Sequence, residues 1–371
     1  MAKENHINIP AHYNIYTGEN ANRNLDIYFS EPENGVNQET GLLLLIPGFG
    51  GNSQSNVYKK MRLDFADKHN LVVIQCDYFG SEFMQTSNKI NLSFDINNYR
   101  NMLSEDDLKT LKNGSKNFNT IISILSKYSS VLHASEILGE NKNLFNDMGF
   151  MQVMDLLTAL YAVKLILNDN GLIYNENKVI AYGHSHGAYL AYLCNRLAPN
   201  DFSFIVDNSA WLNPVYLTSS RYLNQTYGKL VLQTRFDYFA SEFDYDKNIL
   251  DLHKLYDGFQ NNAVIWSCQG VTDNLVDYRE KERFCSSINN AIFHLIDEKK
   301  VDNKKFYSTG HGLNADFLEL FDYVMEKVVL NSKQRKNLLT SESTVILHQK
   351  VKYIVDFQLG LPLMSVDYIE Y

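Results

Sequence analysis

The segment Val179-Ile180-Ala181-Tyr182-Gly183-His184-Ser185-His186-Gly187 runs into an apolar stretch, Ala188–Ala198, and limits what this chain can fold into. An apolar strand-like run enters a glycine-framed serine and leaves as a helix. So sharp a turn closes only if the residues two positions either side of the serine lack a Cβ. Strands with no polar alternation belong to sheets covered on both faces. Two further runs of that kind, Gly41–Ile46 and Leu71–Cys76, bracket Val57–His69, which is apolar at helical spacing (Met61, Phe65). Strand, helix, strand with buried strands is the pattern of a parallel α/β sheet.

The rest of the chain extends that pattern. His12–Thr17 and Asn24–Ser30 read as short strands, Phe202–Val206, Val264–Cys268 and Ala291–Ile296 as further sheet. Gly149–Leu167, apolar at Val153, Leu156, Leu157, Leu160 and Val163, predicts a core helix, and Asp277–Asn289 and Ala315 to about Leu330 predict two more. Residues 81–147 are rich in Asn, Ser and Lys, with amphipathic pieces such as Asn117–Tyr128, and read as a helical insertion. Residues 212–262 read as a second, aromatic-rich and irregular one. The tail, Thr344–Phe357 and Met364–Tyr371, alternates apolar and polar as exposed antiparallel strands do. The length of 371 residues admits two domains. The order of elements instead predicts one α/β domain over 1–340, with insertions at 81–147 and 212–262, and a β-like extension over 341–371.

A serine hydroxyl becomes a nucleophile when a positioned base takes its proton and an acid orients that base. Ser185, on a strand-to-helix turn, directs its hydroxyl out of the sheet beside a helix N-terminus, the setting of a nucleophile elbow. His311, in the loop Ser308-Thr309-Gly310-His311-Gly312, is the candidate base. His294 is its rival but lies inside an apolar run, while His253 and His348 have no comparable setting. For the acid, Asp273 follows the strand Val264–Cys268 on a glycine-containing loop. Asp277 reads better as the N-cap of the next helix, and Asp207, ending the preceding strand, stays open as a third candidate. Backbone donors for a developing oxyanion are expected from His186 and from Phe49 or Gly50 in Pro47-Gly48-Phe49-Gly50-Gly51. No Lys-Ser/Thr follows that loop at the spacing of a phosphate cradle. His184 and His186, two apart without a third ligand nearby, read as polar lining, and neither a metal nor a cofactor is expected.

Composition narrows the setting. Thirty-four Lys+Arg against 43 Asp+Glu give a net charge of −9, which argues against nucleic acid or an anionic membrane as partner. Four scattered cysteines (Cys76, Cys194, Cys268, Cys285) form no C-x-x-C pair and suit a reducing compartment. Met1–Asn5 leads into no apolar signal core, and the aliphatic run Leu42–Ile46 is too short to span a bilayer. A cytoplasmic protein of open oligomeric state is the expectation.

Taken together, Ile46-Pro47-Gly48-Phe49-Gly50-Gly51, Asp77-Tyr78-Phe79-Gly80, Gly183-His184-Ser185-His186-Gly187, Gly270-x-x-Asp273-x-x-Val276 and Gly310-His311-Gly312 resemble the α/β-hydrolases, in the right order over about residues 40–330. The resemblance implies a mostly parallel eight-stranded sheet with helices on both faces, helical insertions forming a cap, and a Ser185–Asp273–His311 triad. Pro47 departs from the His that many members carry before the oxyanion-loop glycine. The long insertion before the elbow helix is a second departure. More narrowly, the chain is similar to bacterial proteins associated with surface-glycan and flagellin-modification gene clusters. The expected activity is hydrolysis of a carboxylic ester, with O-acyl or O-acetyl carbohydrate among the substrates, so the partner is a small-molecule ester or an acylated glycan. Acyl transfer or small-peptide cleavage would use the same triad. A non-catalytic binding module on the same scaffold is the alternative from another class.

Overall fold

Eight strands with mostly buried side chains hydrogen-bond into one sheet in the computed structural model, which describes residues 1–19, 22–84, 89–114, 117–328 and 343–369. In chain order the sheet and its helices are β1 (Lys3–Pro10), β2 (Asn24–Glu31), β3 (Gly41–Ile46), α1 (Asn56–His69), β4 (Leu71–Cys76), α2 (Phe150–Asp169) and β5 (Val179–His184). After these come α3 (His186–Leu197), β6 (Phe204–Asn208), β7 (Val264–Gly270), α4 (Tyr278–Ser286), β8 (Ala291–Ile296) and α5 (Phe317–Lys327). The spatial order is β1-β2-β4-β3-β5-β6-β7-β8, parallel from β4 to β8, with β2 antiparallel to both its neighbours. From β3 the chain moves one way to β4, and from β5 the other way to β6. The loops leaving β3 and β5 therefore part company at adjacent strand ends, and a parallel sheet opens a crevice at such a switch point.

Alternate residues of the strands supply one face of the core. Leu43, Leu45, Val73, Ile180, Tyr182, Phe204, Val206 and Cys268 pack with Met61 and Phe65 of α1 and Leu320, Phe321 and Val324 of α5. Helices α2 and α3 pack together and against β4, β5 and β6. Helix α2 is long and apolar enough to cross a membrane, yet 78% of its most apolar window is buried within the protein. The ends of α1 follow sequence chemistry: the Ser55 hydroxyl accepts from the Tyr58 amide, and Asn70 closes the helix at φ 51. All four cysteines are buried free thiols.

The chain divides into two units, one of residues 1–81, 147–214 and 244–371, the other of 82–146 and 215–243. The second corrects the expectation of helical insertions. Its strands Ile90–Leu92, Ser130–Glu136, Leu230–Phe236 and Arg221–Tyr227 form a four-stranded sheet, accompanied by helices Glu105–Asn113 and Phe118–Leu125. Leu132, Ala134, Leu230 and Leu232 face a core with Leu111, Ile121 and Leu125. The central strands alternate, with His133 and Ser135 between the buried positions of the first, and 130–135 pairs in parallel with 230–235 a hundred residues on. Within its own stretch Ser130–Glu136 pairs only with the short strand Ile90–Leu92, and Leu230–Phe236 with the largely exposed Arg221–Tyr227, so local pattern reads the first stretch as helical and the second as irregular.

Three other boundaries differ from expectation. The second insertion ends at 243; residues beyond it join the first unit, where Tyr189 donates to the Leu250 carbonyl (2.9 Å) and Arg196 to that of Leu255 (2.7 Å). His12–Thr17 is a turn, and the polar segment Lys3–Pro10 forms the edge strand instead, because an edge needs few apolar residues to pair with β2. The tail makes an antiparallel sheet of Thr344–His348, Val351–Asp356 and Leu363–Tyr368 and belongs to the first unit, with Tyr13 donating to the Met364 carbonyl (2.5 Å). The expected helix end at Leu330, residues 341–342 and the last two of the tail lie outside the described residues.

Candidate active site

Ser185 joins β5 to α3 at φ 54, ψ −118, a left-handed backbone that a residue with a Cβ rarely adopts. The surrounding glycines make the turn possible. A Cβ at Gly183 would overlap the backbone of Gly187 and Ala188, and one at Gly187 would overlap the carbonyls of Ile46 and Pro47. The elbow is thus pressed against the end of β3. The Ser185 amide donates to the Asn208 carbonyl of β6 (2.8 Å), and Asn208 in turn donates through its side chain to the Gly312 carbonyl (3.4 Å). The serine side chain lies at the start of α3, where the helix dipole favours negative charge.

His311 Nε2 is 2.7 Å from Ser185 Oγ, and His311 Nδ1 is 2.8 Å from Asp273 Oδ2. The Asp273 side chain is enclosed, while 17% of the His311 side chain is exposed. The same carboxylate accepts from Gln269 Nε2 (2.6 Å) and from the amides of Leu275 (2.8 Å) and Val276 (3.1 Å). Burial pushes the Asp273 pKa up, but the His311 ring and these amides outweigh it and hold the carboxyl below its ordinary range. An ionised Asp273 draws the imidazole proton to Nδ1 and leaves the Nε2 lone pair facing the serine hydroxyl. The loops carrying acid and base are stitched together: the Thr272 amide donates to the Thr309 carbonyl (3.0 Å), and the two threonine hydroxyls lie 2.8 Å apart.

The rival residues are committed elsewhere. Asp207 forms a wholly buried ion pair with Lys281 (2.8 Å) and accepts from Tyr192, Ser267 and the Ala210 amide. Asp277 caps α4 by accepting from the Arg279 amide (2.7 Å). His294 stacks on Trp266, with ring centroids 3.9 Å apart. His253 meets Phe284 edge-on, and His348 contacts Asp246 at 2.5 Å. His184 and His186 point to different neighbours. His184 packs on Phe317 and under Gly312, and burial followed by the nearby His311 charge lowers its pKa to about 4. His186 Nε2 meets Gln152 Oε1 of α2 at 2.7 Å, and burial lowers its pKa to about 3. Among the described residues no group of three or more His, Cys, Asp or Glu is placed to hold a metal.

Phe49 stands beside the elbow. The Phe49 ring meets the His186 ring edge-on (5.5 Å) and lies 5.5 Å from Trp211, which follows β6. The His186 amide is the first of α3, a position without a carbonyl four residues back to bond to. The loop after β3 is tied down at Ser53: its amide donates to Asp77 (2.8 Å), and Arg62 donates to its carbonyl (3.0 Å). Sequence reasoning passed over Gln269, Gln152 and Asn208. Each sits inside a strand, helix or loop that reads as packing; the signal lay only in buried positions occupied by polar side chains.

The model of the family described as protein of unknown function (DUF2920) matches residues 33–243. No curated protein matches the chain. Among solved structures it is similar to Est1E from Butyrivibrio proteoclasticus with ferulic acid bound, at 12% identity and a TM-score of 0.43, covering 82% of this chain and 96% of that one. Thermogutta terrifontis esterase 2, phosphonylated by sarin, is similar at 11% identity and 0.44, over 85% and 94%. A puromycin-hydrolysing peptidase of Mycobacterium tuberculosis is similar at 12% and 0.46, over 84% of this chain and 36% of that one.

Proposed function

The chain belongs to the DUF2920 family, and for this member we propose hydrolysis of a carboxylic ester by way of an acyl-serine. The observation that carries the reading is the relay of 2.7 Å from Ser185 Oγ to His311 Nε2 and 2.8 Å from His311 Nδ1 to Asp273, set on a serine of positive φ. In the first half-reaction Ser185 Oγ attacks the ester carbonyl while His311 Nε2 takes the hydroxyl proton. The tetrahedral oxyanion is held by the amide of His186 and that of Phe49 or Gly50. Collapse breaks the bond to the alcohol oxygen, which receives the proton from His311. Water then attacks the acyl-serine, giving its proton to His311, and the carboxylic acid leaves as Ser185 recovers its hydrogen. Asp273 stays ionised throughout and stabilises the imidazolium.

Treatment with a fluorophosphonate probe tests this. Labelling of the wild-type chain that disappears in Ser185→Ala is the expected result; labelling that persists in Ser185→Ala, or a wild type that does not react, overturns it. Within carboxylic esters the reading extends to O-acyl and O-acetyl groups on carbohydrate. Turnover of acetylated sugars beside simple aryl and alkyl esters decides that extension.

A further inference from the structure

The reaction above asks an amide of the loop after β3, beside that of His186, to stand ready for a charge that exists only in the transition state. A loop performs that task if its peptide planes are fixed beforehand. Two buried phenols meet one peptide of this loop. The Tyr78 hydroxyl donates to the Pro47 carbonyl (3.1 Å), and the Gly48 amide donates to the Tyr58 hydroxyl (3.1 Å). The described peptides are all trans, so the carbonyl and amide of the Pro47–Gly48 unit point opposite ways. The phenols therefore grip a rigid plane from both sides. Tyr58 comes from α1 and Tyr78 from the segment after β4, and they are 7% and 2% exposed. Burial raises the Tyr58 pKa to about 12 and that of Tyr78 well above its ordinary value, so both hydroxyls keep their protons.

Downstream of that plane the loop closes at once. The Gly51 amide donates to the Gly48 carbonyl (2.8 Å), a turn with Phe49 and Gly50 at its centre, and Gly50 has the positive φ of 83 that a type II turn needs at its third residue. Fixing the Pro47–Gly48 plane thus fixes the frame from which the amides of Phe49 and Gly50 project. We propose that Tyr58 and Tyr78 are positioning residues that clamp the Pro47–Gly48 peptide and so aim the oxyanion-binding amides of the loop at the carbonyl attacked by Ser185. The proposal rests on the serine-hydrolase reading. It assigns to two side chains that never touch substrate a share of transition-state binding.

Tyr58→Phe and Tyr78→Phe remove one hydroxyl each and keep the ring. With p-nitrophenyl acetate, kcat falls about tenfold or more in each while KM changes less than about twofold, as expected for a displaced catalytic group. Affinity for phenylboronic acid, whose adduct with Ser185 is tetrahedral, falls in parallel. Phe321→Leu, in the core between α1 and α5, serves as a control: it lowers the thermal midpoint and leaves kcat in place. Wild-type turnover with kcat undiminished in either Phe variant overturns the clamp and leaves the hydrolase reading standing, as does a loss confined to KM. An equal fall in kcat in Phe321→Leu also overturns it, since general loosening would then account for the effect. A variant that does not fold is replaced by the other, because each hydroxyl alone is required. Absence of any Ser185-dependent turnover in the wild type overturns the hydrolase reading and this proposal with it.

Discussion

Asp273 is an enclosed carboxylate that meets an imidazole, a side-chain amide and two backbone amides. Its charge is therefore balanced by hydrogen bonds that an uncharged isostere would misuse. Asp273→Asn keeps the shape, but a carboxamide at the same place either repels the Nδ1 proton or moves it to Nε2, where it blocks the serine. The expected loss of kcat is about 10³–10⁴-fold, measured on any ester the wild type cleaves, with little change in substrate affinity. The sign of the pH effect follows from a folded pKa below the ordinary carboxylate value. The stability Asp273 contributes is present above the unfolded pKa, near 4, and is lost as pH falls through the lower folded value. Thermal melts of wild type and variant should therefore converge on acidification below about pH 4. Residues of this sort are legible in sequence because they sit on short loops at strand ends, where a Gly-x-x-Asp or Gly-His-Gly has little packing work to do. Gln269 is not, although it contacts the same carboxylate, because a glutamine inside Val264–Gly270 looks like any interruption of an apolar strand.

At the scale of one element, α2 carries an apolar periodicity that reads plainly as a helix over Gly149–Leu167, and the helix spans Phe150–Asp169. Periodicity is blind to its polar residues. Gln152 and Asp155 are fully buried: Gln152 bridges His186 to the Phe79 carbonyl, and Asp155 pairs with Arg23 through two bonds of 2.7 Å and accepts from the Phe79 amide. The helix also lacks a side-chain cap at Gly149. Asp147 takes that role from outside by accepting from the Met151 amide and the Tyr16 hydroxyl, both at 2.8 Å. Burial is the main force on this carboxyl and raises its pKa to about 6; the Met151 amide, the Tyr16 hydroxyl and the Gly149 amide counter it in part. Its folded pKa thus lies above its unfolded one, so the stability it contributes is complete below about pH 4 and is lost as pH rises through about 6. A carboxylate confined this way forfeits about 3 kcal/mol by pH 8. Asp147→Asn keeps an acceptor for Met151 and cannot ionise. Its thermal midpoint relative to the wild type should rise between pH 5 and pH 8, and a difference that stays flat or falls across that range contradicts the assignment.

The whole molecule has two cores of unlike origin. The first grows from neighbours in sequence: β3, α1 and β4 follow one another, and their aliphatic runs announce themselves without knowledge of the rest. The second needs segments 82–146 and 215–243 to meet, and its central pairing sets Leu230 beside Ser130 and Leu232 beside Leu132. Half-buried strands whose central pairing, 130–135 with 230–235, spans a hundred residues leave a weak local trace, so this unit was the part of the fold that the sequence concealed. The same separation makes its closure entropically costly, and its stability rests on the few large side chains it buries. Leu232 is fully buried within that cluster. Leu232→Ala removes three carbons from a core that has little to fill the gap, at a cost of about 2–5 kcal/mol. Because Leu232 takes no part in the cluster containing Leu43, Val206 and Phe321, the cost should be confined to its own unit. Hydrogen exchange would then show amides of 130–136, 221–227 and 230–236 losing protection while those of β3 and β5 keep theirs. Val206→Ala should produce the opposite pattern. Equal loss of protection in both units from either substitution would mean that the two cores unfold as one.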